Sequence, residues 1–123
     1  MKFTATYLEP DISDITANLL FADPESNPDE PAVLSFSRSV EFPDSAYYFE
    51  INDQSYSSYG GLEHVRLSRN QLTINVAPEL VEEFGVEDFA EVQVEFEVDD
   101  EMYQSILDHL QVIFAGKDIL VVE

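Results

Sequence analysis

Apolar and polar residues alternate with a period of two along much of this chain, in short runs that predict strands over residues 2–76. Phe3, Ala5 and Tyr7 share a parity against Thr4 and Thr6, a half-buried strand over 2–8 that Glu9-Pro10-Asp11 is expected to end. Ile15, Ala17, Leu19 and Phe21 carry the same period into a second strand, and the short polar link makes the two antiparallel neighbours. Asp23 to Pro31, dense in proline and acid, reads as a loop. Leu34, Phe36, Val40 and Phe42 share a parity with Arg38 among them, opposite Ser35, Ser37 and Ser39. This third strand has room for a bulge near Arg38. Phe42-Pro43-Asp44-Ser45 reads as a turn, and Tyr47, Phe49 and Ile51 against Tyr48, Glu50 and Asn52 make a fourth strand.

The rest of the chain is organised around residues 47–76. After the fourth strand the sequence turns polar and tyrosine-rich from Asn52 to Tyr59, read as a loop, and breaks at Gly60-Gly61. A hairpin follows. If Leu67 lies opposite Leu72, then Val65 lies opposite Ile74 and both apolar sets fall on one face. Ser68-Arg69-Asn70-Gln71 make its turn, where Asn70 suits a left-handed backbone.

Beyond the hairpin, Pro78 to Phe84 predicts a short helix, with Pro78 in its first turn and Gly85 placed to end it. Val92, Val94, Phe96 and Val98 alternate with Glu91, Gln93, Glu95 and Glu97, a strand whose apolar face must be core. Asp99 can cap a helix over about 99–114, whose apolar positions Met102, Tyr103, Ile106, Leu107, Leu110, Ile113 and Phe114 form one stripe. Gly116 fits the left-handed position after it, and Ile119 to Val122 can add a last strand. The expected fold is α+β: a mainly antiparallel sheet of seven or eight short strands, with the C-terminal helix packed on one face and the short helix at 78–84.

Length changes little in this picture: 123 residues fit a single domain over 1–123. Charge changes more. Twenty-six acidic against five basic residues leave a net charge of −21, while 45% apolar residues argue against disorder. Such a field favours a basic partner and opposes direct binding to nucleic acid or to an anionic membrane. Without cysteine there is neither a disulfide nor a thiolate zinc site. No apolar stretch approaches the ~18 residues of a spanning helix, and the start, Met1-Lys2-Phe3-Thr4, lacks the pattern of a signal peptide, so a cytoplasmic location is expected.

Candidate chemistry is sparse. His64 falls within a strand opposite in parity to Val65 and Leu67, and His109 falls at the margin of the last helix's apolar stripe; no third group orients either ring. Asn52-Asp53 and Asp99-Asp100-Glu101 lack the alternating ligands of a calcium loop, and Gly60-Gly61 is followed by neither lysine nor a helix start, so no metal, cofactor or catalytic group is expected. Partner binding is the class that remains. Glu91, Glu95 and Glu97 line one strand face, either a solvated face or a carboxylate ladder for a basic partner. Tyr56 and Tyr59 sit among Ser55, Ser57, Ser58 and glycines, the composition of a recognition loop, unless Tyr59 folds back over the sheet edge. Glu50, Asp53 and Glu63 of the same stretch complete the candidate partner-binding set.

EINDQ at Glu50 to Gln54, YGGLEHVRLSRNQLTI at Tyr59 to Ile74 and VEFEVDDEMY at Val94 to Tyr103 together resemble the bacterial immunity protein 10 family, over roughly residues 47–115. The resemblance implies a non-enzymatic cytoplasmic protein that binds and neutralises a cognate toxin. It identifies no contact residues. With the charge, it points to a basic toxin, such as a nuclease, met by an acidic surface. The other readings are an acidic DNA mimic that binds a nucleic-acid-processing or regulatory protein, an enzyme using carboxylates, and adaptation to high salt.

Overall fold

The first strands of the chain divide between two sheets. A computed structural model describes residues 1–24, 31–42 and 45–123. Its strands are β1 (Lys2–Thr4), β2 (Tyr7–Ile12), β3 (Thr16–Asp23), β4 (Ala32–Ser39), β5 (Tyr48–Ile51), β6 (Asp53–Tyr59), β7 (Leu62–Ser68), β8 (Gln71–Val76), β9 (Glu91–Glu95) and β10 (Leu120–Val122). Helix α1 (Pro78–Phe84) and a 3-10 turn (Glu87–Ala90) precede β9, and α2 (Asp100–Ile113) follows it. Sheet A has the order β1-β9-β8-β7-β10 and sheet B the order β2-β3-β4-β5-β6. Sheet B is antiparallel throughout, whereas β1 and β10 join sheet A in parallel. The expected loop over 23–31 and turn at 42–45 lie in large part outside the described residues.

The α+β class, both helices and the hairpin register stand as the sequence predicts, with Val65 opposite Ile74 and Leu67 opposite Leu72. Among the described residues ten strands replace seven or eight, for two reasons. The alternation over 2–8 belongs to two strands, because the chain passes from sheet A to sheet B at Ala5-Thr6: the Ala5 amide donates to Glu95 O at 2.8 Å and the Thr6 amide to Ala22 O at 2.9 Å. Residues 53–59, expected as a loop, are β6, which pairs with β5 after a bulge between Glu50 and Ile51. Serine and tyrosine side chains suit an edge strand that is buried on neither face completely.

Glu9-Pro10-Asp11 does not end a strand but lies inside β2. That strand is the edge of sheet B, where a residue without an N–H leaves no neighbour unpaired. No bulge occurs near Arg38; β3 and β4 pair without interruption from Thr16–Ser39 to Asp23–Ala32. The left-handed asparagine is Asn52, at φ 66°, in the turn between β5 and β6, and not Asn70. Strand β9 stops at Glu95, short of Val98, because its neighbour β8 begins at Gln71 and the Phe96 amide bonds to Asn70 O in the turn.

The inner faces of both sheets and the buried stripe of α2 form one core. Ala17, Leu19, Phe21, Leu34, Phe49 and Ile51 from sheet B meet Val65, Leu67, Leu72, Ile74, Val92 and Val94 from sheet A. Helix α2 packs on β2, β3 and β4 through Ile106, Leu110 and Ile113. Asp99 caps it, its Oδ1 accepting from the Met102 amide at 2.8 Å. At the other end Arg38, 8% exposed, reaches in from β4, and its Nη1 donates to Ile113 O at 3.2 Å and Ala115 O at 2.7 Å. A cation at a helix C-terminus satisfies orphan carbonyls and complements the dipole, which explains why an arginine shares the parity of core residues.

The return from sheet B to sheet A runs through Gly60-Gly61, at φ 76° and 93°. The backbone angle at Gly61 is what requires glycine there, and a Cβ would also lie 2.6 Å from Leu80 Cδ2 of α1, whose side chain would have to shift. Tyr47 braces the same corner: its buried hydroxyl accepts from the Leu62 amide at 2.9 Å, and its ring packs against Phe114 at 4.9 Å.

Candidate partner interface

The even-numbered residues of β3, the odd-numbered residues of β4 and the even-numbered residues of β5 point away from the core, and among the described residues no helix packs on that side. Strand pairing sets them in rows. Asp11, Asn18, Ser37, Tyr48 and Tyr59 lie side by side across all five strands of sheet B. Glu9, Leu20, Ser35, Glu50 and Ser57 form the next row. The middle of these rows, on β3 and β4, is uncharged (Asn18, Leu20, Ser35, Ser37), and the acids and tyrosines stand at the two sides.

Those larger groups are organised. On β2 the Tyr7 hydroxyl donates to Glu9 Oε2 at 2.8 Å, and on β5 the Tyr48 hydroxyl donates to Glu50 Oε1 at 2.6 Å. Each carboxylate holds its phenol in the protonated form: the Tyr7 pKa is raised above 10.0 chiefly by the hydrogen bond to Glu9, and that of Tyr48 chiefly by the bond to Glu50, with the Ser57 hydroxyl pulling the other way. Tyr59, 75% exposed, lies 5.0 Å ring to ring from Tyr48. None of the five basic residues lies on this face. Arg38 points into the core, Lys2 and Arg66 belong to sheet A, Arg69 sits in the β7–β8 turn, and Lys117 follows α2.

The partner-binding residues expected from the sequence are not brought together. Glu50 and Tyr59 are on the outer face of sheet B, and Asp53 is in the bulged turn beside it, its Oδ1 accepting from the Ser55 amide at 2.7 Å. Tyr56 turns inward, its ring set edge-on to Phe84 at 5.9 Å and Phe89 at 5.0 Å, so it is engaged in packing. Glu63 lies by the bulge between Leu62 and His64, in a cleft of about 650 Å³ against Val76, Pro78, Val81 and Glu82. Glu91 and Glu95 stand on the outer face of sheet A, where Glu95 pairs with Lys2 at 3.0 Å and Glu91 accepts from Gln93 Nε2 at 2.6 Å. Glu97 is exposed beyond the end of β9. Tyr7, Glu9 and Tyr48 were missed, although the Tyr-x-Glu spacing at 7–9 and 48–50 puts each pair on one face of a strand.

Among the described residues no group of His, Asp and Glu side chains is arranged to hold a metal ion. His64 is exposed on sheet A opposite Asn75, and the His109 Nδ1 lies 2.7 Å from Ser105 O one turn back on its own helix. No helix among the described residues is long and apolar enough to cross a membrane.

Residues 4–104 match the family described as Immunity protein 10. The chain belongs to the immunity protein 10 family. The matched region reaches back through β2, β3 and β4, well before the 47–115 stretch that carries the resemblance in the sequence, and takes in the whole outer face of sheet B. No curated protein and no solved structure matches the chain. Membership in the immunity protein 10 family suggests a toxin-neutralising role, and such families are in general not enzymes. For an immunity protein 10 member the surface of interest is therefore one that can meet another protein.

Proposed function

We propose that this immunity protein neutralises a basic toxin domain, of the kind a nuclease active site would present, by covering it with the outer face of sheet B. The observation that carries this reading is the distribution of charge: the face holds Glu9, Asp11, Glu50 and three tyrosines, and no basic residue. Tyrosines supply large contact area at small entropic cost, and uniform sign speeds encounter with a cationic partner. Glu50, Asp53 and Tyr59 belong to this interface, whereas Glu91, Glu95 and Glu97 lie on or beside the other sheet and stay outside it. With a net charge of −21 the protein does not bind nucleic acid itself.

The test is binding of the purified toxin domain encoded beside this chain, across a range of salt. A stoichiometric complex that weakens steeply as salt rises is expected, and Glu50→Gln/Tyr59→Ala should weaken it while Glu91→Gln/Glu95→Gln should not. Equal binding by both double variants would move the interface off sheet B. If no toxin domain binds at low salt, the acidic DNA-mimic reading takes first place.

A further inference from the structure

Resting on that reading, we propose that the outer face of sheet B is a two-point receptor for cationic side chains, seating one ammonium or guanidinium of the toxin at Tyr7/Glu9 and a second at Tyr48/Glu50. Strand register carries the inference. Glu9 pairs with Leu20, Leu20 with Ser35, and Ser35 with Glu50, so the two carboxylates occupy a single row across four strands. Three strand spacings put them about 14 Å apart.

Strands β2 and β5 run in opposite directions, because each step from β2 to β3 to β4 to β5 is antiparallel. Tyr7 therefore lies on one side of the shared row, opposite Ala22, and Tyr48 on the other, opposite Ser37. The two Tyr–Glu pairs are related by an approximate two-fold axis that passes between Leu20 and Ser35. Neither the alternation nor the net charge requires this; it follows from Tyr-x-Glu occurring on two strands whose register happens to align the acids.

Each pair has the same core arrangement, exposed at Tyr7/Glu9 and half-buried at Tyr48/Glu50: the tyrosine hydroxyl occupies one carboxylate oxygen, Oε2 of Glu9 and Oε1 of Glu50, and the other oxygen takes no donor among the described residues. Between the two points Asn18, Leu20, Ser35 and Ser37 are uncharged, so nothing there repels a cationic partner that reaches both at once. The occupant is a positively charged protein surface. A second copy of this chain would bring the same negative face and is excluded by its sign.

The proposal is tested with Glu9→Gln, Glu50→Gln and the double variant against the purified toxin domain encoded beside the chain, with Glu95→Gln on sheet A as control. Glutamine still accepts the tyrosine hydrogen bond, so thermal unfolding midpoints should not move. Each single change should weaken binding about tenfold, and the double change about a hundredfold, since charges farther apart than a Debye length act independently. The salt dependence should flatten stepwise in the same order. An effect of Glu50→Gln without one of Glu9→Gln would overturn the two-point receptor. If neither change matters while the complex still forms, the receptor is again overturned but toxin binding stands. Absence of any complex with the unaltered chain would remove the toxin reading itself.

Discussion

Sheets A and B both bury one face in the shared core and leave the other to solvent, yet the two outer faces differ in the sign of what they display. On sheet A the rows mix charges: Lys2, Gln93, Thr73 and Arg66 stand side by side, and Lys2 pairs with Glu95 at 3.0 Å. On sheet B carboxylates and tyrosines have no basic neighbour, because the sheet's single base, Arg38, has the core-facing parity and is held by carbonyl groups at the end of α2. A net charge of −21 thus says little about any one surface. The parity of one arginine decides whether a face is mixed or uniformly negative, and a uniformly negative face is the kind of surface that can discriminate partners by charge.

That contrast can be broken first at Arg38. Replacing it with leucine removes donors to Ser45 O, Ile113 O and Ala115 O and leaves buried carbonyls unpaired. Unfolding by denaturant should show a loss of about 3 kcal/mol. A loss below about 1 kcal/mol would mean that the inward base is not what holds α2 to sheet B.

Next in size is charge reversal on either face. Glu50→Lys gives the outer face of sheet B the base it lacks and should weaken toxin binding about a hundredfold, whereas Glu95→Lys on the already mixed face of sheet A should change it less than about threefold. Comparable losses from both, measured by calorimetry or surface binding, would erase the distinction between the faces.

The corner that turns sheet B into sheet A offers a smaller effect. Tyr47→Phe keeps the ring against Phe114 but strands the Leu62 amide, now 2.9 Å from the hydroxyl. A destabilisation of about 1–2 kcal/mol is expected in thermal or chemical melts. An unchanged melt would show that the corner is braced by the glycine backbone alone.

Alkaline titration sharpens the comparison most gently, since the outer face of sheet A carries no tyrosine. Tyr7 and Tyr48 should ionise above their ordinary 10.0, held up by hydrogen bonds to Glu9 and Glu50, and Glu50→Gln should bring Tyr48 back down in phenolate absorbance. Tyr47 is raised by burial, partly offset by its bond from the Leu62 amide. A phenol whose folded pKa lies above the unfolded value adds stability that is complete below about pH 10 and is lost as pH climbs through the folded value. Melting temperature should therefore fall above pH 10 and fall less in Tyr47→Phe.

Much of the fold was legible because it is local. The Val65/Leu67 and Leu72/Ile74/Val76 parities specify a register by themselves, and Asp99 and Gly85 mark helix ends by their own chemistry. Arg38 was not legible: its shared parity with Leu34 and Phe36 suggested room for a bulge, whereas the strand runs unbroken and the arginine points inward. Residues 53–59 were not legible. Serine and tyrosine in alternation look the same in a loop as in an edge strand, and the difference lies in whether β5 is there to pair with them. The candidate site was legible only in half: Glu50 and Tyr59 were named, but Tyr7 and Glu9 are forty residues or more away in sequence and three strands from Glu50 in the sheet.

By itself the sequence determined the quantities that depend on nearest neighbours: strand periodicity, hairpin register, helix caps and total charge. Tertiary structure alone decided that the first alternating run is divided between two sheets at Ala5-Thr6, that Glu91 and Glu95 face away from Glu50 and Tyr59, and that Glu9 and Glu50 of two Tyr–Glu pairs fall in one row. The physical reason is that alternation assigns each residue to a face of its own strand, whereas only hydrogen bonding between distant strands assigns that face a set of neighbours.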